Sequence, residues 1–280
     1  MRGAERVSAP RDIPVGLSSS SVYPLTVVDT FAVARDLGYD GVEVMVTNNS
    51  ISRDPSRLRD LREHYQLPIL SVHAPTLLLT QQVWGTAWTK VELSCAMAAE
   101  VEAPTVVVHP PFRWQTGYAD HFATGIRRIM ADYGVMIAVE NMYPWRVRGR
   151  DRRAYLPHWD PVPLEYDHVT WDFSHAACAG SHSLVSVQEL GERLRHVHLT
   201  DGSGAQNRDE HLLPGEGNQD PAAVLRHLAQ TDWDGSVIAE VSTRKAKGAG
   251  EREQLLGDTL SFARRHLDRA GQPDPSSLAP

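Results

Sequence analysis

The sequence predicts a single-domain α/β fold, a (β/α)8 barrel, on three observations. Eight short apolar runs recur near positions 13–17, 42–46, 69–73, 105–109, 135–140, 169–172, 194–199 and 236–241. Segments of helical length and period separate most of them. Most of the runs also end in a histidine or a carboxylate. Strands that read as continuous apolar runs are buried on both faces, as in a parallel sheet covered by helices. Eight such units in roughly 260 residues suit a closed barrel. The rival, an open doubly wound sheet, lacks the Gly-x-Gly-x-x-Gly turn expected after its first strand.

The elements follow in order. After the first run, Leu25, Val28, Phe31, Ala32 and Leu37 recur on a helical period from Pro24 to Leu37, and Gly38 supplies the stop. The run at 42–46 comes next, then Ile69-Leu-Ser-Val-His73. A helix over Trp84 to Val101 places Val91, Ala98 and Val101 on one side. Thr105-Val-Val-Val-His109, a helix over Gly125 to Tyr133 and Met136-Ile-Ala-Val-Glu140 continue the alternation. The second half repeats it with Val169-Thr-Trp-Asp172, Leu194-Arg-His-Val-His198, a helix over Pro221 to Leu228, Val237-Ile-Ala-Glu240 and a helix over Arg252 to Leu267. The barrel is expected over 12–269, with polar tails at 1–11 and 270–280 read as disordered. Residues 142–168 form a long basic and aromatic loop after the fifth strand. It reads either as a mobile surface insertion or as a lid that brings Arg146 or Arg148 to an anionic substrate.

Composition narrows the function. Of 280 residues, 41% are hydrophobic and 22% charged, an ordinary globular balance that suits a sizeable core. A formal net charge of −7 argues against a nucleic-acid binder, which needs a basic face. No apolar run is long enough for a membrane span. The first residues lack the apolar stretch of a signal peptide, and two cysteines are too few for a disulfide framework. A reduced, cytoplasmic protein is the expectation, with Cys95 as a core thiol.

The candidate site lies at the ends of the apolar runs. His73, His109, Glu140, Asp172, His198 and Glu240 end six of them, and His175, Asp209 and His211 follow closely. Side chains at the carboxyl ends of barrel strands converge on the axis. Imidazole nitrogen and carboxylate oxygen are ligands that zinc, manganese and iron accept. A lone histidine there is often a buried, hydrogen-bonded core residue. A buried carboxylate is harder to explain without a cation or a proton. Asp201 either orients a neighbouring ligand or caps a turn. The glycines at 215 and 217 permit a tight turn near the site.

Together these residues resemble the xylose isomerase-like TIM barrels, a superfamily that includes endonuclease IV. The likeness runs from about Val15 to Leu267. Asp209-Glu-His211 followed by Gly215-Glu-Gly217 is similar to the Asp-Arg-His…Gly-Glu-Gly signature of the nuclease, with Glu210 in place of arginine. Asp172-Phe-Ser-His175 resembles its Asp-Thr-x-His, and Glu140-Asn141 its Glu-Asn pair. The resemblance implies three metal locations: His73, His109 and Glu140; Glu140, Asp172, His198 and Glu240; and His175, Asp209 and His211. It implies one to three divalent ions per chain, zinc or manganese. It also leaves a homodimer paired through barrel helices as an option.

Two chemistries fit. In a sugar or sugar-phosphate isomerase or epimerase, a metal stabilises an enediolate while Glu140 and Glu240 exchange the proton. Trp84, Phe112 and Trp114 would wall the sugar, with Trp88 as readily a packing residue, and Arg113 and Arg146 would meet a phosphate. The alternative is a multi-zinc phosphoester hydrolase, which the extra histidines suit. Ala74-Pro75-Thr76 after His73 and Met142-Tyr-Pro-Trp after Asn141 depart from the nuclease pattern, as does the acidic charge. The isomerase or epimerase reading is preferred. A binding protein that lost its chemistry is disfavoured by the intact Glu140 and Glu240.

Overall fold

Eight parallel strands close into a barrel, and an antiparallel hairpin lies outside it. The structure, a computed structural model, describes residues 13–76, 82–148, 150–205, 208–231 and 233–268. Both expected tails fall outside these residues. In chain order the strands are β1 (Val15–Ser18), β2 (Gly41–Met45), β3 (Ile69–His73), β4 (Thr105–Val108), β5 (Met136–Glu140), β6 (Trp145–Val147), β7 (Arg150–Arg152), β8 (Val169–Asp172), β9 (Leu194–Leu199) and β10 (Ser236–Ala239). The barrel runs β1-β2-β3-β4-β5-β8-β9-β10 and closes where Val15 pairs with Val237 and Leu17 with Ala239. All eight expected strands are present, with ends shifted by no more than two residues.

The helices are α1 (Val27–Leu37), α2 (Pro55–Tyr65), α3 (Ala87–Glu100), α4 (Thr116–Ala119), α5 (Phe122–Tyr133), α6 (Phe173–Ala179), α7 (Ser183–Leu190), α8 (Pro221–Gln230) and α9 (Ala249–Leu267). The start of α1 is fixed by Asp29, whose Oδ2 accepts from the backbone N–H of Thr26 at 2.8 Å and its hydroxyl at 2.7 Å. Gly38 ends it in the left-handed conformation. The helix α2 leaves little apolar signature because only Leu58 of its eleven residues is buried. Its cues are at the ends: Asp54 accepts from the N–H groups of Ser56 and Arg57, and Pro55 opens the first turn.

Leu17, Val42, Val44, Val72, Val106, Val139, Val197 and Leu199 of the strands belong to one apolar cluster with Phe31, Ile129, Leu225 and Leu256 of the helices. Inside the barrel the packing is polar. Ser18, Glu43, Ser71, Thr170 and His196 are all fully buried. His196 on β9 and Ser71 on β3, strands on opposite sides of the barrel, meet at 3.1 Å. A barrel interior is usually filled by branched apolar side chains. Here a hydrogen-bonded cluster of Ser18, Glu43, Ser71 and His196 takes the place of such side chains.

The segment 142–168 carries the hairpin, with β6 and β7 paired from Trp145–Arg152 to Val147–Arg150. Its root is fastened to the loop after β4. The N–H groups of Arg113 and Leu156 donate to the carbonyls of Ala154 and Pro111, both at 2.8 Å. Phe112, Met142, Ala154 and Tyr155 form a second small core there. Cys95 and Cys178 are buried free thiols. No helix among the described residues is long and apolar enough to cross a membrane.

Candidate metal centre and active site

The carboxyl ends of the strands bring the nine candidate ligands together. They fall into three groups whose ligand atoms lie within 4.8 Å of one another: His73, His109 and Glu140; Glu140, Asp172, His198 and Glu240; and His175, Asp209 and His211. These are the three sets that the family resemblance implies. Glu140 links the first two. Its Oε2 faces His73 Nε2 at 3.2 Å and His109 Nε2 at 2.9 Å. Its Oε1 faces His198 Nδ1 at 2.9 Å and His175 Nδ1 at 3.4 Å.

Local structure points the histidines. A backbone carbonyl can only accept, so a ring nitrogen bonded to one carries the proton. His73 Nδ1 donates to the carbonyl of Ala74 at 3.0 Å, His175 Nδ1 to that of Asn141 at 2.9 Å, and His211 Nδ1 to that of Glu240 at 2.8 Å. In each the Nε2 then faces a carboxylate oxygen: Glu140 for His73, and Asp209 Oδ2 at 3.2 and 3.0 Å for His175 and His211. A nitrogen lone pair and a carboxylate oxygen at such distances repel unless a proton or a cation lies between them.

The electrostatics agree. Burial works against charge throughout, yet the neighbouring carboxylates hold His175 and His198 well above the usual imidazole range. Burial also opposes ionisation of Glu140, but His198, His175 and His109 hold it well below the usual carboxylate range. Asp172 is the exception: burial pushes its carboxyl up to about 6. Its Oδ1 accepts from the N–H of His175 at 2.7 Å, while its Oδ2 has no hydrogen-bond partner. That oxygen lies 3.7 Å from His198 Nδ1, which is itself 2.9 Å from Glu240 Oε2. An orphaned buried carboxylate oxygen beside nitrogen and carboxylate donors is a setting that a divalent cation fits.

The supports of the ligands come from several elements. Asn141 ties β5 to β8, its Oδ1 accepting from the N–H of Asp172 and its Nδ2 donating to the Asp172 carbonyl. Ser20 donates to Glu240 Oε1 at 3.0 Å and Ser174 to Asp209 Oδ1 at 2.6 Å. Asp201 latches the loop after β9, accepting from the N–H groups of Gly202, Gly215 and Gln219. Of the two roles considered for Asp201, this is the turn-closing one. A Cβ on Gly217 would collide with the Asp201 carboxylate and the Gly202 carbonyl, so glycine is required for that latch.

A cavity of about 270 Å³ opens beside His109, lined by Thr86, Lys90, Phe112, Trp114 and Gln115 among others. Phe112 and Trp114 stack at 4.7 Å, and Trp114 is 49% exposed. The other candidate contacts do not line this cavity. Trp84 packs against the main core, and Trp88 packs on Tyr118 and over Gly125. Arg113 is exposed, and Arg146 pairs with Asp151 across the hairpin at 2.8 Å. Two residues that the sequence reading passed over sit under the site. Glu43 and His196 form a further group with His198. Both lie within strands rather than at strand ends. An ionisable residue between apolar neighbours, as in Gly41-Val-Glu-Val-Met45, was the signal for Glu43.

The (β/α)8 barrel gathers at its mouth histidines and carboxylates from six strands, in groups that could hold metal ions. The chain belongs to the xylose isomerase-like TIM barrel family, which residues 31–266 match. An uncharacterised protein of Mycobacterium leprae is 46% identical over 277 residues, covering 92% of this chain and 99% of its own. Fructoselysine 3-epimerase of Escherichia coli O157:H7 is 21% identical over 270 residues, covering 88% and 92%. Among solved structures, a D-tagatose 3-epimerase-like protein superposes with a TM-score of 0.65 at 22% identity, covering 91% of this chain and all of its own. IolI with a bound zinc atom gives 0.65 at 17% identity, covering 91% and 99%.

Proposed function

We propose that the protein is a divalent-metal-dependent isomerase or epimerase of a small sugar or sugar phosphate. The observation that carries this reading is the Glu140, Asp172, His198 and Glu240 group, with its orphaned Asp172 oxygen, at the carboxyl end of the barrel. The epimerase names among its relatives support it. Glu140, Asp172, His198 and Glu240 would hold the ion. Once bound, the ion supplies a Lewis acid against which negative charge on substrate oxygens can develop.

The remaining chemistry belongs to the chain. Glu240, oriented by the Ser20 hydroxyl, takes the proton from the carbon next to the substrate carbonyl. Both oxygens of Glu140 are shared among histidines, so its first task is to hold the centre. Epimerisation returns the proton to the opposite face, and Glu140 is the second carboxylate available for that step. Phe112 and Trp114 offer the sugar an apolar face beside His109, within a volume suited to a small substrate. Arg146 would reach an anionic substrate only after leaving Asp151.

The test is exchange in deuterated water. Ketoses and ketose phosphates are incubated with metal-loaded protein, and NMR follows deuterium entering the carbon next to the carbonyl. Exchange with wild type and its loss in Glu240→Gln, with the barrel's far-ultraviolet circular dichroism retained, is the expected result. Undiminished exchange in Glu240→Gln removes that residue from the chemistry. Metal stoichiometry by elemental analysis counts how many of the three donor groups are filled.

A further inference from the structure

We propose that Glu43 is a positioning residue for His198, holding the far side of its ring so that the Nδ1 lone pair faces Glu140, Asp172 and Glu240. This rests on reading those four residues as a metal centre. Glu43 lies in the middle of β2 and is fully buried. Its Oε1 accepts from the Ser18 hydroxyl at 3.0 Å and its Oε2 from the Ser71 hydroxyl at 2.9 Å. His198 Nε2 and His196 Nε2 each approach Oε2 at 3.3 Å. The opposite nitrogen of His198 is 2.9 Å from both Glu140 and Glu240.

The donors around Glu43 decide between two roles. Two hydroxyls and two imidazoles already serve its oxygens, so the carboxylate is stabilised without an ion of its own. What it offers His198 is an anionic acceptor. The far nitrogens of His73, His175 and His211 are held by neutral backbone carbonyls instead. Among these four histidines, only His198 has behind it a carboxylate from outside the nine candidate ligands; the one beside His175 Nδ1, at 3.4 Å, is Glu140 itself. A carboxylate there fixes the tautomer and makes the facing nitrogen a stronger ligand. His196 and Ser71, joined across the barrel, keep Glu43 from swinging away.

The experiment is a cobalt(II) titration of metal-free full-length protein, followed by visible absorption and calorimetry. The step belonging to this centre is the one lost in Asp172→Asn. Glu43→Gln keeps the shape and an acceptor oxygen but removes the charge. It should weaken that step by about 10–100-fold and alter its absorption band, leaving the step of His175, Asp209 and His211 unchanged. Ser71→Ala, a milder change, should shift affinity in the same direction and serves if Glu43→Gln does not fold. Metal-free melting separates a folding defect from a ligand defect. Wild-type affinity and spectrum in the variants that fold overturn the role of Glu43 while sparing the metal centre. No cobalt step sensitive to Asp172→Asn overturns both.

Discussion

Glu140→Gln is the most searching perturbation of the site, because one carboxylate serves two of the three donor groups. Each ion bound at about 100 times its Kd stabilises the fold by about 2.7 kcal/mol. For a domain of this size that raises Tm by roughly 5–11 °C per ion, at about 2–4 °C per kcal/mol. Wild type should therefore gain more than one such increment when metal is added to the chelated protein. In Glu140→Gln a neutral amide replaces the oxygens that face His73, His109, His198 and His175. Only the His175, Asp209 and His211 group keeps its full donor set, so the gain should shrink to about one increment. The variant also loses its metal-free ion pairs, at a cost of about 3–5 kcal/mol. Comparing the metal-induced gain, rather than Tm itself, cancels that term. The assay is thermal unfolding by circular dichroism with chelator and with saturating zinc or manganese. A gain in Glu140→Gln equal to that of wild type refutes the bridging role.

Other perturbations separate the site from its scaffold. Gly217→Ala should displace the loop carrying Asp209 and His211, lowering metal content by one ion while far-ultraviolet circular dichroism stays that of the barrel. Trp171, buried against α7 with its Nε1–H on Ser183 Oγ at 3.0 Å, should cost about 3–5 kcal/mol as Trp171→Ala, read from urea midpoints. Asp29→Ala should cost about 1 kcal/mol at pH 7 through the lost helix start. The Thr26 bonds hold the Asp29 carboxyl below its ordinary value, so the stability it adds is present above the unfolded value and lost as pH falls through the folded one. Urea midpoints of the two proteins should therefore converge only below about pH 4.

The barrel was legible in the sequence because six of its eight strands advertise themselves twice, by an apolar run and by a histidine or carboxylate at its end. Val169-Thr-Trp-Asp172 and Leu194-Arg-His-Val-His198 are found where the pattern puts them. The helix α2 escaped because its buried face is one leucine wide and its signals are caps. The hairpin escaped because Trp145-Arg-Val147 and Arg150-Asp-Arg152 are too short to show a period. In the candidate site, the strand-end residues that the sequence singles out are the ones the barrel brings together. Glu43 and His196 were not singled out, because an interior-facing polar residue within a strand breaks the apolar run without ending it. The partners of Arg146 and Trp84 depend on loop geometry, which side-chain type alone does not encode.

The bond from His196 to Ser71 makes the barrel a vessel with a closed bottom. Together with Glu43 and Ser18 it fills the axis beneath the candidate metal ligands. Substrate, ion and proton would then enter from the mouth at the carboxyl end of the barrel, where the β6–β7 hairpin and the loop after β4 stand. The ring N–H of His196, sealed under that mouth, should exchange slowly with water. Its NMR signal becomes an internal gauge of how often the vessel opens.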